Sequence, residues 1–205
     1  MEKAMETMKA EGSHHEDHFR AGKALGLDHR KLGMWLFLAS EVMFFGGLLS
    51  TFLFYKVNNP SPSEVALLDV VLVGVNTFIL LTSSFTVVLG LTAIQRNNVQ
   101  GVMRFLGITM LLGAVFLAGQ GYEFVKLYYE GMTLSSSVFA SAFFTLTGFH
   151  GLHVFIGLIW AGLTIFKAYQ GQYSAEEYGG VEIFGLYWHF VDIVWIVLFT
   201  LIYLV

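Results

Sequence analysis

The chain has 205 residues, 56% of them hydrophobic and only 13% charged, with a net charge of −4 and no cysteine. A mean hydropathy of +0.66 leaves too little polar surface for a water-soluble domain, so the chain reads as an integral membrane protein. Lack of cysteine excludes disulfides, thiolate nucleophiles, cysteine-held zinc and iron–sulfur clusters, and the 11 Lys and Arg form no basic stripe that would suit nucleic acid.

The first segment, residues 1–31, is polar and carries the cluster "SHHEDH". It has no short apolar core followed by a small-residue cleavage site, so it is read as a loosely structured cytoplasmic tail rather than a signal peptide. Residues 32–205 form the membrane domain. A helix needs about 20 mostly apolar residues to cross the hydrocarbon, and five stretches reach that length: about 33–55, 68–94, 104–128, 138–167 and 184–205. Polar punctuation separates them: Asn58, Asn59, Pro60 and Pro62, then Gln95 to Asn98, then Glu130 and Gly131, then "QGQYSAEEYGG". Hydrocarbon cannot satisfy a bare backbone, and these lengths are too great for barrel strands, so the predicted fold class is all-α, an integral membrane bundle of five transmembrane helices with a polar N-terminal tail. Nine of the eleven basic residues fall on the N-terminal side of that arrangement, leaving Lys56 and Lys126 on the other. The bias places the N-terminus in the cytoplasm and the C-terminus outside.

Ionisable side chains inside a span are costly and normally face protein or water. Here they are Glu41, Glu123, His150, His153, His189 and Asp192, accompanied by Asn76, Thr77, Ser83, Ser84 and Gln120. Spacings of three put His150 with His153, and His189 with Asp192, on common helix faces. Three readings are open. Two imidazoles with a third imidazole and a carboxylate form a ligand set that zinc or iron accepts, although the residues between His150 and His153 are not those of H-E-x-x-H. Axial ligation of haem between the fourth and fifth spans is the second. The third, which the sequence favours, is hydrogen bonding across the bundle, with His189 donating to Asp192 or to a neighbouring span. Gly148, Gly151 and Gly157, with Ala140 and Ala142, support it by permitting close helix approach. Trp188 and Trp195 are expected to pack. Glu41, alone in "FLASEVMFFGG", suits either proton exchange or a contact to another subunit, and Glu123 is expected to pair locally with Lys126 or to anchor a span end.

Five strings in order carry a resemblance: "GMWLFLASEVMFFGG", "NTFILLTSSFT", "GQGYEF", "SAFFTLTGFHGLHVFIGLIW" and "YWHFVDIVWIVLFTLIYL". Together they resemble subunit III of the haem–copper terminal oxidases, in its short five-helix bacterial form. The resemblance implies a chain with no catalytic residue and no bound metal or cofactor, haem and copper being held by partner subunits of an oxygen-reducing, proton-pumping complex in the bacterial plasma membrane. Implied partners are subunit I, which carries the haem–copper core, subunit II, a small subunit IV, and phospholipids. Glu41 matches the family's buried carboxylate facing the core subunit. His150, His153, His189 and Asp192 match its structural histidines and aspartate, with Glu123, Gln120 and Asn76 as further intramembrane polar positions. Trp35 and His150 are the implied lipid contacts. The implied work is to brace the core, hold lipid, and support proton uptake and oxygen access.

Long members of that family have seven spans and the first span here corresponds to their third, so another subunit, or an extension of the core subunit, is expected to close the lipid cleft. The loop "GMTLSSSVFAS" lacks an aspartate and a glycine that many long members carry. "SE" in the first span and "FHGLHV" in the fourth resemble cytochrome c oxidases more than quinol oxidases, which remain the alternative, with a haem-binding membrane anchor as a further one. A proton-coupled transporter would need broken helices or internal repeats, neither of which is visible.

Overall fold

The computed structural model describes residues 29–59 and 62–205. The expectation for the tail falls on residues 1–28, outside the described residues, apart from its last three positions, which open the first helix. The helices are α1 (His29–Asn58), a short α2 (Pro62–Val65), α3 (Val70–Gln95), α4 (Val99–Tyr129), α5 (Val138–Tyr169) and α6 (Gly179–Phe199), which continues into a π turn, Thr200–Leu204. Among the described residues, five helices are long and apolar enough to cross a membrane. The fold is therefore the all-α membrane bundle that the five apolar stretches required.

The helix bounds depart from the apolar stretches by a few residues, because a helix stops where its end groups find partners rather than where hydrophobicity fades. Asp69 accepts from the Leu72 amide at 3.0 Å and opens α3. Asn98 accepts from Gly101 at 2.9 Å and opens α4, and Ser137 accepts from Ala140 at 2.9 Å and opens α5. Three of the long helices close alike. Asn97, Gly131 and Gly171 take positive φ of 55°, 88° and 72°. The amide that follows each reaches back to Ala93, Leu127 and Lys167 at 2.9, 2.9 and 3.1 Å, the six-residue bond of a Schellman ending. Asn98 serves both helices that it separates, and the chain reverses within the three residues Arg96, Asn97 and Asn98.

The chain divides into two compact units, Met1–Ala39 and Ser40–Val205. The described part of the first is the opening of α1, where Trp35, Leu36 and Phe37 are exposed. In the second, α3 packs on α4 and α6, and α5 packs on the same two helices, so the four form a closed ring of neighbours. Phe116, Phe139, Phe143, Phe184, Trp188 and Trp195 are fully buried there. Trp188 is wedged between α4 and α5. A Cβ at Gly113 would stand 2.9 Å from its ring and one at Gly157 only 2.7 Å, so both helices need glycine at this level. The part of α1 from Ser40 onward lies along α5 through Phe44 on Phe149 (5.2 Å between ring centroids) and Phe52 on Phe139 (5.4 Å). Lys56 reaches from its end to the carbonyls of Leu201 and Ile202 at 3.0 and 3.4 Å, so a cation caps the terminus of α6.

Candidate functional site

The polar groups in the spans fall into four neighbourhoods rather than one centre. In the first, Glu41 of α1 faces His153 of α5. His153 Nε2 is 3.2 Å from Glu41 Oε2, and the two side chains are only 13% and 16% exposed. The other ring nitrogen, Nδ1, is 2.7 Å from the Phe149 carbonyl one turn earlier. Phe44 and Phe45 flank the imidazole at 6.3 and 5.0 Å between ring centroids, and the Tyr187 hydroxyl donates to the His153 carbonyl at 2.9 Å.

His150, three residues before His153, points elsewhere. It has no exposed surface, stacks on Trp195 at 4.7 Å and meets the edge of Phe116 at 5.9 Å. Neither of its nitrogens has a hydrogen-bond partner among the described residues. The expected lipid contact of His150 is corrected by this burial: Trp195 and Phe116 occupy the faces that lipid would need. Trp35, by contrast, is 58% exposed. Beside His150, Gln120 of α4 donates to the Thr147 carbonyl at 2.7 Å, and its Oε1 would lie 2.9 Å from any Cβ on Gly151. Asn76 of α3 donates to the Phe116 carbonyl at 2.9 Å. A Cβ on Gly119 would sit 2.7 Å from this amide, so glycine makes room for it.

The third neighbourhood is the seam of α3 and α6. His189 Nδ1 is paired with the Ser84 hydroxyl of α3 rather than with Asp192. Trp188 donates to Ser83 at 3.0 Å and Trp195 to Thr77 at 2.9 Å. These two tryptophans, expected only to pack, therefore also tie the helices together through their indole N–H groups. Asp192 is 3% exposed. Ser84 stands beside it, yet neither carboxyl oxygen has a hydrogen-bond partner among the described residues.

Toward the C-terminal end of α4 the expected pairing of Glu123 with Lys126 is replaced. Glu123 is 3% exposed and accepts from Tyr203 at 3.0 Å on both oxygens. Lys126 turns instead to Asp69, 3.3 Å away. The reason is burial: Glu123 faces the end of α6, whereas Lys126 and Asp69 keep about a third of their side chains exposed. The Leu72 amide, with Lys126 in support, holds the Asp69 carboxyl below its ordinary range. Tyr203 was not singled out in the sequence. Its signal is a phenol deep in an apolar span, whose hydroxyl needs a partner.

Among the described residues, no three His, Asp or Glu side chains come together in a way that could hold a metal ion. What α5 does offer is an open apolar groove of about 360 Å³, lined by Leu134, Phe144, Thr145, Gly148, Phe149 and Leu152. The arrangement is thus one of interhelical polar ties, one acid–base pair between α1 and α5, and a greasy groove.

The family described as cytochrome c oxidase subunit III matches residues 1–205. The cytochrome c oxidase subunit 3 of Thermostichus vulcanus is 41% identical over 192 residues, covering 89% of this chain and 94% of the relative. That of Synechocystis is 45% identical over 180 residues, 86% of this chain and 76% of the relative. A quinol oxidase subunit 3 of Bacillus subtilis is 40% identical over 176 residues, 84% of this chain and 85% of the relative.

Proposed function

The chain belongs to the cytochrome c oxidase subunit III family, a subunit of haem–copper oxidase complexes with other oxidase subunits as its partners, and from that premise we propose that it is a non-catalytic brace of the haem–copper core. The match over all 205 residues carries this reading. Its complex reduces oxygen, pumps protons and takes electrons from cytochrome c. The names of the Thermostichus and Synechocystis relatives support that donor, while the quinol oxidase relative keeps a quinol donor as the second reading.

Haem and copper belong to subunits I and II in this proposal. The histidine surroundings agree with it. His150 is enclosed by Trp195 and Phe116, His153 is engaged with Phe149 and Glu41, and His189 with Ser84. Glu41 lies toward the core subunit, Trp35 and the groove at Phe149 hold phospholipid acyl chains and admit oxygen, and the assembled surface supports proton uptake. The groove's apolar lining supports the lipid part of this reading. The chain sits in the bacterial plasma membrane with its N-terminus in the cytoplasm, as the distribution of Lys and Arg favours.

Purification from native membranes in mild detergent, with an optical spectrum and identification of the copurifying chains, tests the proposal. Expected is a complex with haem-bearing subunits whose spectrum survives removal of this chain while turnover lifetime falls. Stoichiometric haem or metal on the isolated chain, or copurification with no oxidase subunit, would overturn it.

A further inference from the structure

The Ser84 and His189 pair lies at the middle of the α3–α6 seam. His189 has Gly179 ten positions before it and Leu204 fifteen after, and Ser84 has Val70 fourteen before and Gln95 eleven after. At 1.5 Å per residue, each is about 15 Å or more along its helix from either end, which is mid-depth in a hydrocarbon layer about 30 Å thick. Glu123, His150 and Asp192 are buried, and Glu41 and His153 face each other. His189 is different. It is only half-buried, Nδ1 is taken by Ser84, and Nε2 makes no hydrogen bond among the described residues. Unlike both nitrogens of His150, that atom is not enclosed.

The pair is the polar centre of an apolar face. Leu81 and Val88, three before and four after Ser84, share its side of α3, and Ile193, four after His189, shares its side of α6 with Ile196. All four are exposed. The surface is preformed: a Cβ on Gly185, one turn before His189, would already touch Val87 at 3.4 Å, so α3 and α6 are closed behind the pair. α1 lies along α5 instead, through Phe44 and Phe52. A ring nitrogen left facing hydrocarbon is costly, and polar groups inside spans face protein or water. Phospholipid does not meet this need, because acyl chains carry no hydrogen-bonding group and headgroups lie at the two surfaces. A crossing helix brings side chains to any depth.

We propose that the α3–α6 seam is a docking surface for a transmembrane helix of another oxidase subunit, which sets a hydroxyl or amide side chain on His189 Nε2 and packs against Leu81, Val88, Ile193 and Ile196. Hydroxyls and amides donate and accept, so they fit His189 whichever of its nitrogens carries the hydrogen. This docking rests on the chain's being an oxidase subunit.

Photo-crosslinking in native membranes tests it, with the photoreactive residue p-benzoylphenylalanine in place of Val88 or Ile193, both exposed. Expected is a covalent product with an apolar segment of an identified oxidase subunit. Lipid adducts alone, or a product with a second copy of this chain, within an intact oxidase complex would overturn the docking surface and leave the oxidase reading standing. Absence of any oxidase subunit from the purified material would overturn both. For the hydrogen bond, His189→Leu should increase loss of this chain from the complex in rising detergent by about threefold, what an average interhelical hydrogen bond is worth. His189→Gln, whose amide can serve Ser84 and the partner, should recover most of that loss. Ser84→Ala, which removes only the tie within the chain, should lose less than His189→Leu. Equal retention of His189→Leu and the parent chain, or equal losses in His189→Leu and Ser84→Ala, would overturn the bond to the partner, and the crosslinks decide the surface even if His189→Leu does not fold.

Discussion

The hydroxyl of Tyr203 stands 3.0 Å from each carboxyl oxygen of Glu123, joining α4 to the π turn that ends α6. Tyr203→Phe removes the only hydrogen bond to this buried carboxyl found among the described residues, without leaving a cavity. The expected loss of stability is about 1–3 kcal/mol, the usual cost of an orphaned buried polar group. Thermal unfolding in detergent measures it. Glu123→Gln, which leaves an acceptor for the phenol, should cost less than Tyr203→Phe. Equal stability of Tyr203→Phe and the parent chain would remove the role assigned to this bond.

Gly157 faces the Trp188 ring so closely that an added Cβ would lie 2.7 Å from it. Gly157→Ala should therefore push α5 from α6 and destabilise the chain by roughly 1–3 kcal/mol, the range for overpacking a filled core. Trp188→Phe in the same chain should relieve the overlap and recover part of the loss. A double-mutant cycle in unfolding experiments reads the coupling, and simple additivity of the two changes would contradict the wedge.

Asn97 and Asn98 make the reversal between α3 and α4. Asn98→Ala removes the side chain that caps Gly101 and should cost about 1 kcal/mol. Asn97 has φ of 55°, so Asn97→Gly should be tolerated, whereas Asn97→Val should destabilise. The order of melting temperatures, glycine variant above valine variant, checks this turn. The reverse order would exclude it.

Asp69 brings a pH dependence. Its carboxyl is held below its ordinary value of 3.8, first by the Leu72 amide and then by Lys126. A group with a lowered folded value stabilises the fold above its unfolded value, and that contribution is lost as pH falls through the lowered one. Melting temperature should thus fall in that acid window in the parent chain and fall less in Asp69→Asn. Identical acid profiles in the two chains would show that the cap does not discriminate between protonation states.

How far the site was legible differs from residue to residue. The pairing of Glu123 with Lys126 looked natural at a spacing of three, yet the actual partners lie 80 and 57 positions away in the chain. Helical spacing states only which neighbours share a face, and tertiary packing decides which of them is buried. His150 and His153 make the same point. Three residues turn a helix through about 300°, leaving the two side chains roughly 60° apart. That is enough to send one into the aromatic core and the other toward α1.

Glycine presented a similar limit. Gly148, Gly151 and Gly157 all read as seams for close approach. Gly157 and Gly151 have Trp188 and Gln120 against them, whereas nothing approaches Gly148. A missing side chain is visible in a sequence, but what fills the space is not.

By itself the sequence determined five helical crossings, the polar breaks between them and the family, because hydrocarbon admits few backbone solutions and hydropathy is summed over about 20 residues at a time. Only the tertiary structure decided that Glu41 meets His153, that Ser84 takes His189 and that Tyr203 takes Glu123. Each of those pairs depends on the rotation and depth of two helices, which packing sets and local composition does not.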